Sequence, residues 1–133
     1  MDKKKKVAFV CVHNSCRSQM AEALGRHFAN EVFESYSAGT KIKANINHDA
    51  IETMKKCYSI DMEEIQYPKL LSDIPPVDIV ITMGCNVDCP IIDGVYYEDW
   101  GLEDPSGKSL LEFEKTAQII EQKVKDLKSR LMD

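Results

Sequence analysis

Apolar residues in this chain gather into short unbroken runs, and between those runs they recur at helical spacing. Residues 6–12 are valine-rich and too continuous to alternate inward and outward, which predicts a strand buried on both faces. After a polar turn, residues 19–29 place Met20, Ala23, Leu24 and Phe28 on one stripe of a helix. Residues 32–37 read as a second strand, ended by Ala38-Gly39. Residues 47–57 read as a helix with Ile51, Met54 and Cys57 inward and Asn47 as its cap. The stretch 67–76 is interrupted by Pro68, Pro75 and Pro76 and predicts a loop with a short helical turn. Residues 77–82 give the clearest central strand, and 94–97 a fourth. Leu111, Ala117, Ile120, Val124, Leu127 and Leu131 then mark a long amphipathic helix over 110–131.

Strands alternating with helices predict an α/β fold: a three-layer sandwich with a four-stranded parallel sheet and helices on both faces. No repeat, low-complexity tract or Pro/Gly/Ser-rich linker interrupts it, so residues 1–133 are expected to form a single domain. Ligands in such folds sit at the carboxyl ends of the strands.

Composition narrows the picture further. Hydrophobic residues make up 44% and charged residues 29%, as in ordinary soluble domains. No apolar run approaches the roughly 18 residues of a membrane span. Lys3–Lys6 precede an apolar stretch too short for a signal peptide, with His13, Asn14 and Arg17 following at once, so a cytoplasmic protein without membrane attachment is expected. The formal charge of −5 argues against nucleic acid as a partner and requires a local positive site for any anionic substrate. Five cysteines (Cys11, Cys16, Cys57, Cys85 and Cys89) without an export signal suggest working or packed thiols rather than a disulfide framework.

The strongest chemical feature is Cys11-Val12-His13-Asn14-Ser15-Cys16-Arg17-Ser18, a Cys-x5-Arg loop between a strand and a helix. Such a loop must curl, and a curled loop at a helix start points several N–H donors at one centre. Cys11 would lie at the base of that nest, where the dipoles and Arg17 favour a thiolate. Arg17 offers a planar fork matched to two oxygens of a tetrahedral anion, and His13, Asn14, Ser15, Cys16, Arg17 and Ser18 together form the expected oxyanion site. Ser18 is placed to bond the thiolate, and Asn14 to hold the loop's shape. The competing reading, a packed Cys11 and a solvated Arg17, lacks a reason for the strand–turn–helix setting.

This loop, continued by Ser18-Gln19-Met20-Ala21-Glu22, resembles that of the thioredoxin-coupled arsenate reductases, which share a fold with the low-molecular-weight protein tyrosine phosphatases. The resemblance extends through Tyr36-Ser37-Ala38-Gly39, Val80-Ile81-Thr82-Met83, Cys89-Pro90 and Trp100-Gly101-Leu102-Glu103-Asp104-Pro105. It implies reduction of arsenate to arsenite by Cys11, with Asp104 protonating the departing oxygen and Asp99 and Glu103 as lesser candidates for that role. It also implies a disulfide relay, first Cys11–Cys85 and then Cys85–Cys89, recycled by thioredoxin or another thiol reductant, with no tightly bound cofactor and a monomeric chain. Cys85 and Cys89 can pair in a helix or loop, where i, i+4 Cα atoms lie about 6 Å apart. Gly84 before Cys85, and only three residues between the two cysteines, depart from the family pattern.

Cys57 and Cys16 are expected to pack, the latter away from the anion, and His13 replaces a small residue. Glu22, Ser37 and Asn14 match positions that hold potassium in some relatives, but Pro68-Lys69 stands where a further carboxylate would be needed. Two alternatives follow from the same residues. A low-molecular-weight protein tyrosine phosphatase would use Cys11, Arg17 and Asp104 and leave Cys85 and Cys89 idle. A zinc module would use the four cysteines other than Cys57, but at spacings outside the usual knuckles and beside Arg17, so no metal site is expected.

Overall fold

The computed structural model describes residues 4–84 and 95–132. The valine-rich run forms β1 (Lys5–Val10), and its burial on both faces puts it inside the sheet, between β2 (Phe33–Ala38) and β3 (Ile79–Thr82). β4 (Tyr96–Asp99) completes a four-stranded, wholly parallel sheet of order β2-β1-β3-β4. The chain steps outward from β1 to β2 and then returns to the other side of β1 as β3. The carboxyl ends of β1 and β3 therefore flank the crevice where such sheets bind ligands.

Period-two alternation divides the core. Val7, Phe9, Ile79 and Ile81 join one cluster with buried residues of α1 (Arg17–Ala29), α2 (His48–Tyr58) and α4 (Leu110–Leu131). Ala8, Val10 and Val80 face the opposite side, where Leu71, Ile74, Val77, Val95 and Tyr97 cover them. Leu71 belongs to a one-turn 3-10 helix (Leu71–Asp73), the turn expected in the proline-rich stretch. One further helical turn, α3 (Met62–Ile65), was not foreseen, although Asp61 caps it by accepting from the Glu63 N–H. Among the described residues, no helix is long and apolar enough to cross a membrane.

Two inward assignments need correction. Leu111 is 58% exposed, while Phe113 is fully buried and begins the stripe Phe113, Ala117, Ile120, Val124, Leu127. Leu111 precedes Phe113 by two residues, about 200° round the helix, and so points away from the core. Cys57 is exposed. Tyr58 takes the packing position instead, with its ring edge-on to Phe28 and its hydroxyl donating to Glu121. The Asn47 cap is present, its side chain accepting from the Ala50 N–H.

Candidate active site

β1 ends at Val10, and Cys11–Cys16 carry the chain round to α1. The Val12 carbonyl accepts from the N–H groups of both Thr40 and Lys41, the His13 carbonyl from Lys43, and the Ser15 carbonyl from Asn47. The Asn14 carbonyl accepts from Gln19 Nε2. All four carbonyls are thus turned outward, three against the segment that follows β2 and that of Asn14 against Gln19 in α1. In a trans peptide the C=O and the next N–H point in opposite directions, and no cis bond is present among the described residues. The amides of His13, Asn14, Ser15 and Cys16 therefore face inward, as the Cys-x5-Arg pattern predicts. The start of α1 adds its own free N–H groups: no side chain caps it and no acidic residue lies in its first turn.

Two backbone features allow this curl. Asn14 adopts φ 50, a left-handed conformation that asparagine tolerates better than most residues. Gly39 approaches so closely that a Cβ there would lie 2.6 Å from the Val12 carbonyl oxygen, so any side chain would push the loop out of shape.

Cys11 Sγ lies 2.9 Å from Ser18 Oγ. Asn14 Nδ2 donates to the same hydroxyl at 2.8 Å, which leaves the Ser18 hydrogen free to point at the sulfur. The orientation of the Asn14 amide is fixed by its other end. Oδ1 accepts from the Lys69 backbone N–H at 2.9 Å, and a backbone N–H can only donate. Arg17 Nη1 donates to the carbonyls of Met83 and Leu102, both at 2.7 Å. Its two hydrogens are occupied there, and the Nε–Nη2 edge is left for an anion.

The Arg17 contacts join the nest to the loop after β4. Trp100 begins that loop, buried beside Phe9 at a centroid distance of 5.5 Å, with Nε1 donating to Glu98. Gly84, the departure noted in the sequence, has φ +98, and a Cβ would meet Leu102 O at 3.1 Å. Its lack of a side chain lets the loop close against the end of β3.

A small cavity is lined by Cys11, Val12, His13, Ser15, Cys16, Arg17, Lys43, Asp104 and Ser106. Cys16 is buried in the main core cluster, as expected, but it also borders the cavity. Burial, together with the nearby Asp104 and Cys11, pushes its thiol up to about 12, so it stays protonated at neutral pH. Partial burial acts to raise the Asp104 carboxyl, but the Ser106 N–H and hydroxyl and the charges of Arg17 and Lys43 outweigh it, holding the group below its ordinary value. The Ser106 N–H donates to Asp104 Oδ1 at 3.0 Å, so the turn chemistry of Asp-Pro-Ser-Gly and a carboxylate aimed at the cavity coexist. Asp99 instead accepts from the Thr82 hydroxyl at 2.8 Å, and exposed Glu103 pairs with Lys108. His13 Nδ1 donates to the Lys41 carbonyl, which directs its ring along the cavity rim. Cys85 and Cys89 lie outside the described residues.

Glu22, Ser37 and Asn14 do converge beside the nest. The Ser37 hydroxyl donates to Glu22 and Asn14 Oδ1 accepts from the Lys69 backbone N–H, while the Lys69 ammonium lies 3.3 Å from Glu22 and 3.1 Å from the Tyr67 carbonyl. Among the described residues, no group of three His, Cys, Asp or Glu side chains could hold a metal ion. Lys43 and Ser106 were missed at the sequence level. The available signal was positional: Lys43 follows the carboxyl end of β2, the same edge of the sheet as the nest.

The signature of the low molecular weight phosphotyrosine protein phosphatases matches residues 6–133. This chain belongs to that family. Within it, the chain is 40% identical over 128 residues to a Staphylococcus saprophyticus protein named arsenate reductase 2, covering 92% of this chain and 95% of that one. A solved family member, described as an arsenate reductase in the phosphate binding state, superposes with a TM-score of 0.84 at 33% identity, over 96% of this chain and 99% of its own. A Corynebacterium glutamicum thioredoxin-dependent arsenate reductase gives 0.79 at 32% identity, over 98% of this chain and 63% of its own.

Proposed function

We propose that this chain reduces arsenate to arsenite with thioredoxin as electron donor, acting as a cytoplasmic monomer with no tightly bound cofactor. The observation that carries this reading is its near full-length similarity to proteins named arsenate reductases, on a fold whose nest holds Cys11 under inward-facing amides.

The Cys11 thiolate attacks arsenic while the amides of 13–16 and the free edge of Arg17 hold the oxygens. Asp104 rests as a carboxylate, and an oxyanion entering the same cavity raises its proton affinity, so it takes up a proton and delivers it to the departing oxygen, which leaves as water. The product is a Cys11–arsenate(V) thioester. A Cys85 thiolate then attacks the Cys11 sulfur. The S–As bond breaks with its electron pair going to arsenic, which leaves as arsenite(III), and the Cys11–Cys85 disulfide holds the two-electron oxidation. Cys89 attacks Cys85, releasing the Cys11 thiolate, and thioredoxin reduces the Cys85–Cys89 disulfide.

The test is a coupled assay with arsenate, thioredoxin, its reductase and NADPH, run beside hydrolysis of an aryl phosphate. Turnover of arsenate that vanishes in Cys11→Ser is expected, because a serine hydroxyl is not ionised at neutral pH. Weak phosphatase turnover is also expected, since a phosphatase needs the same Cys11, Arg17 and Asp104. Efficient aryl phosphate hydrolysis with no arsenate reduction would assign the site to a tyrosine phosphatase.

A further inference from the structure

Before any substrate arrives, the cavity already holds the Asp104 carboxylate and the proposed Cys11 thiolate, and the anion to be bound carries further negative charge. Arg17 supplies one full positive charge, and its Nη1 is committed to the Met83 and Leu102 carbonyls. The chain as a whole is negative, at −5, and repels anions at long range. A second local cation is therefore needed, and the cavity wall contains one.

We propose that Lys43 is the capture residue of this site, drawing the dianionic oxyanion onto the nest. Its position is set by backbone bonds. The Lys43 N–H donates to the His13 carbonyl, so the residue is tied to the nest whatever its side chain does. Its side chain is exposed at the cavity mouth and enters no ion pair with the described residues. That leaves the ammonium available to a ligand. Its charge already reaches Asp104, which Arg17, Cys16 and Ser106 also face, with Cys11 and His13 across the same cavity. The inference rests on the oxyanion-reductase reading for the identity of the turned-over substrate, but not for anion capture itself.

Three proteins decide it: wild type, Lys43→Met and Lys43→Arg, each fully reduced. Titration with inorganic phosphate at low and high NaCl measures capture without turnover. Lys43→Met should bind phosphate on the order of tenfold more weakly at low salt, with a flatter salt dependence, and Lys43→Arg should stay near wild type. In turnover, KM for arsenate should rise by a similar factor in Lys43→Met while kcat changes little. The carboxyl carbon resonance of Asp104, followed by NMR, should titrate at higher pH in Lys43→Met and return in Lys43→Arg. A purely structural residue would move neither the salt dependence nor that midpoint. Unchanged phosphate affinity in Lys43→Met, or an unmoved Asp104 midpoint, overturns the proposal. Phosphate binding weakened by Lys43→Met, with no arsenate reduced by wild type, would defeat the reductase reading and leave the capture role in place.

Discussion

Asn14 bonds in three directions from one amide: to Ser18, to Gln19 and to the Lys69 backbone. Each bond limits the others, so the Ser18 hydroxyl is directed at Cys11 by a residue that never touches it. The same local reasoning separates the two candidate acids. Asp99 is held by Thr82 at the end of β3, while Asp104 lines the cavity with Arg17 and Lys43. Asp104→Asn should slow the first chemical step on the order of 10²–10⁴-fold while phosphate still binds, as for loss of a general acid. A general acid must be protonated in the complex, so wild-type kcat should fall on the basic side as Asp104 ionises, and that limb should vanish in Asp104→Asn. Rapid-quench kinetics across pH measure both, and a larger loss in Asp99→Asn would move the role there. At this scale the sequence was informative about Cys11, Ser18 and Arg17, because loop and helix start are contiguous. Lys43 was hidden because it lies 26 residues beyond Arg17 in sequence, and only the β1–β2 pairing brings them together.

At the scale of elements, α4 is fastened to the sheet end that carries the acid loop. Arg130 forms a two-pronged bond with Glu98, through Nη1 at 2.8 Å and Nη2 at 2.9 Å, and Trp100 donates to the same carboxylate. The Arg130 bonds lower Glu98 from its ordinary 4.5 to about 2, and the Trp100 bond contributes despite opposing desolvation. A carboxyl depressed by folding stabilises the native state above its unfolded value, and the contribution is lost as pH falls through the folded one. Glu98 therefore contributes fully above about pH 4.5 and progressively less toward pH 2. Glu98→Gln should be less stable than wild type at pH 7, with the difference shrinking across that window; urea melts at pH 7, 4 and 2.5 would show it. Both α1 and α4 were readable from periodicity. Leu111 misled because an apolar residue in a helix's first turn need not share the phase of the stripe, and Cys57 because its neighbour Tyr58 packs in its place.

For the molecule as a whole, the parallel order β2-β1-β3-β4 gathers the carboxyl ends of all four strands at one edge. The fold class followed from the alternation of runs, while the packing of Leu71, Ile74 and Val77 on the second face did not, since short irregular segments carry no periodic signal. The proposed relay is a whole-molecule property, because it links Cys11 after β1 to cysteines beyond β3. Cys89→Ser removes only the last acceptor. It should release about one arsenite per enzyme and then stop with Cys11 and Cys85 joined, provided no small thiol rescues it. Cys85→Ser should leave arsenic on Cys11 without its intramolecular attacker. A single-turnover arsenite assay with mass mapping of the disulfide distinguishes them, and repeated thioredoxin-driven turnover by Cys89→Ser at the wild-type rate would rule the relay out.

The outward carbonyls of Val12, His13 and Ser15 are held by the amides of Thr40, Lys41, Lys43 and Asn47, bonds that a bound anion does not have to supply. Anion binding should therefore change solvent access to the nest more than its shape, and deuterium can record that difference. The amides of Thr40, Lys41, Lys43 and Asn47 should take up label slowly in the free protein, while those of His13 to Cys16 take it up quickly. Phosphate should then silence the second group and leave the first unchanged. Binding in this protein would be a seal placed on a finished mould, with little conformational entropy left to lose at the moment of capture.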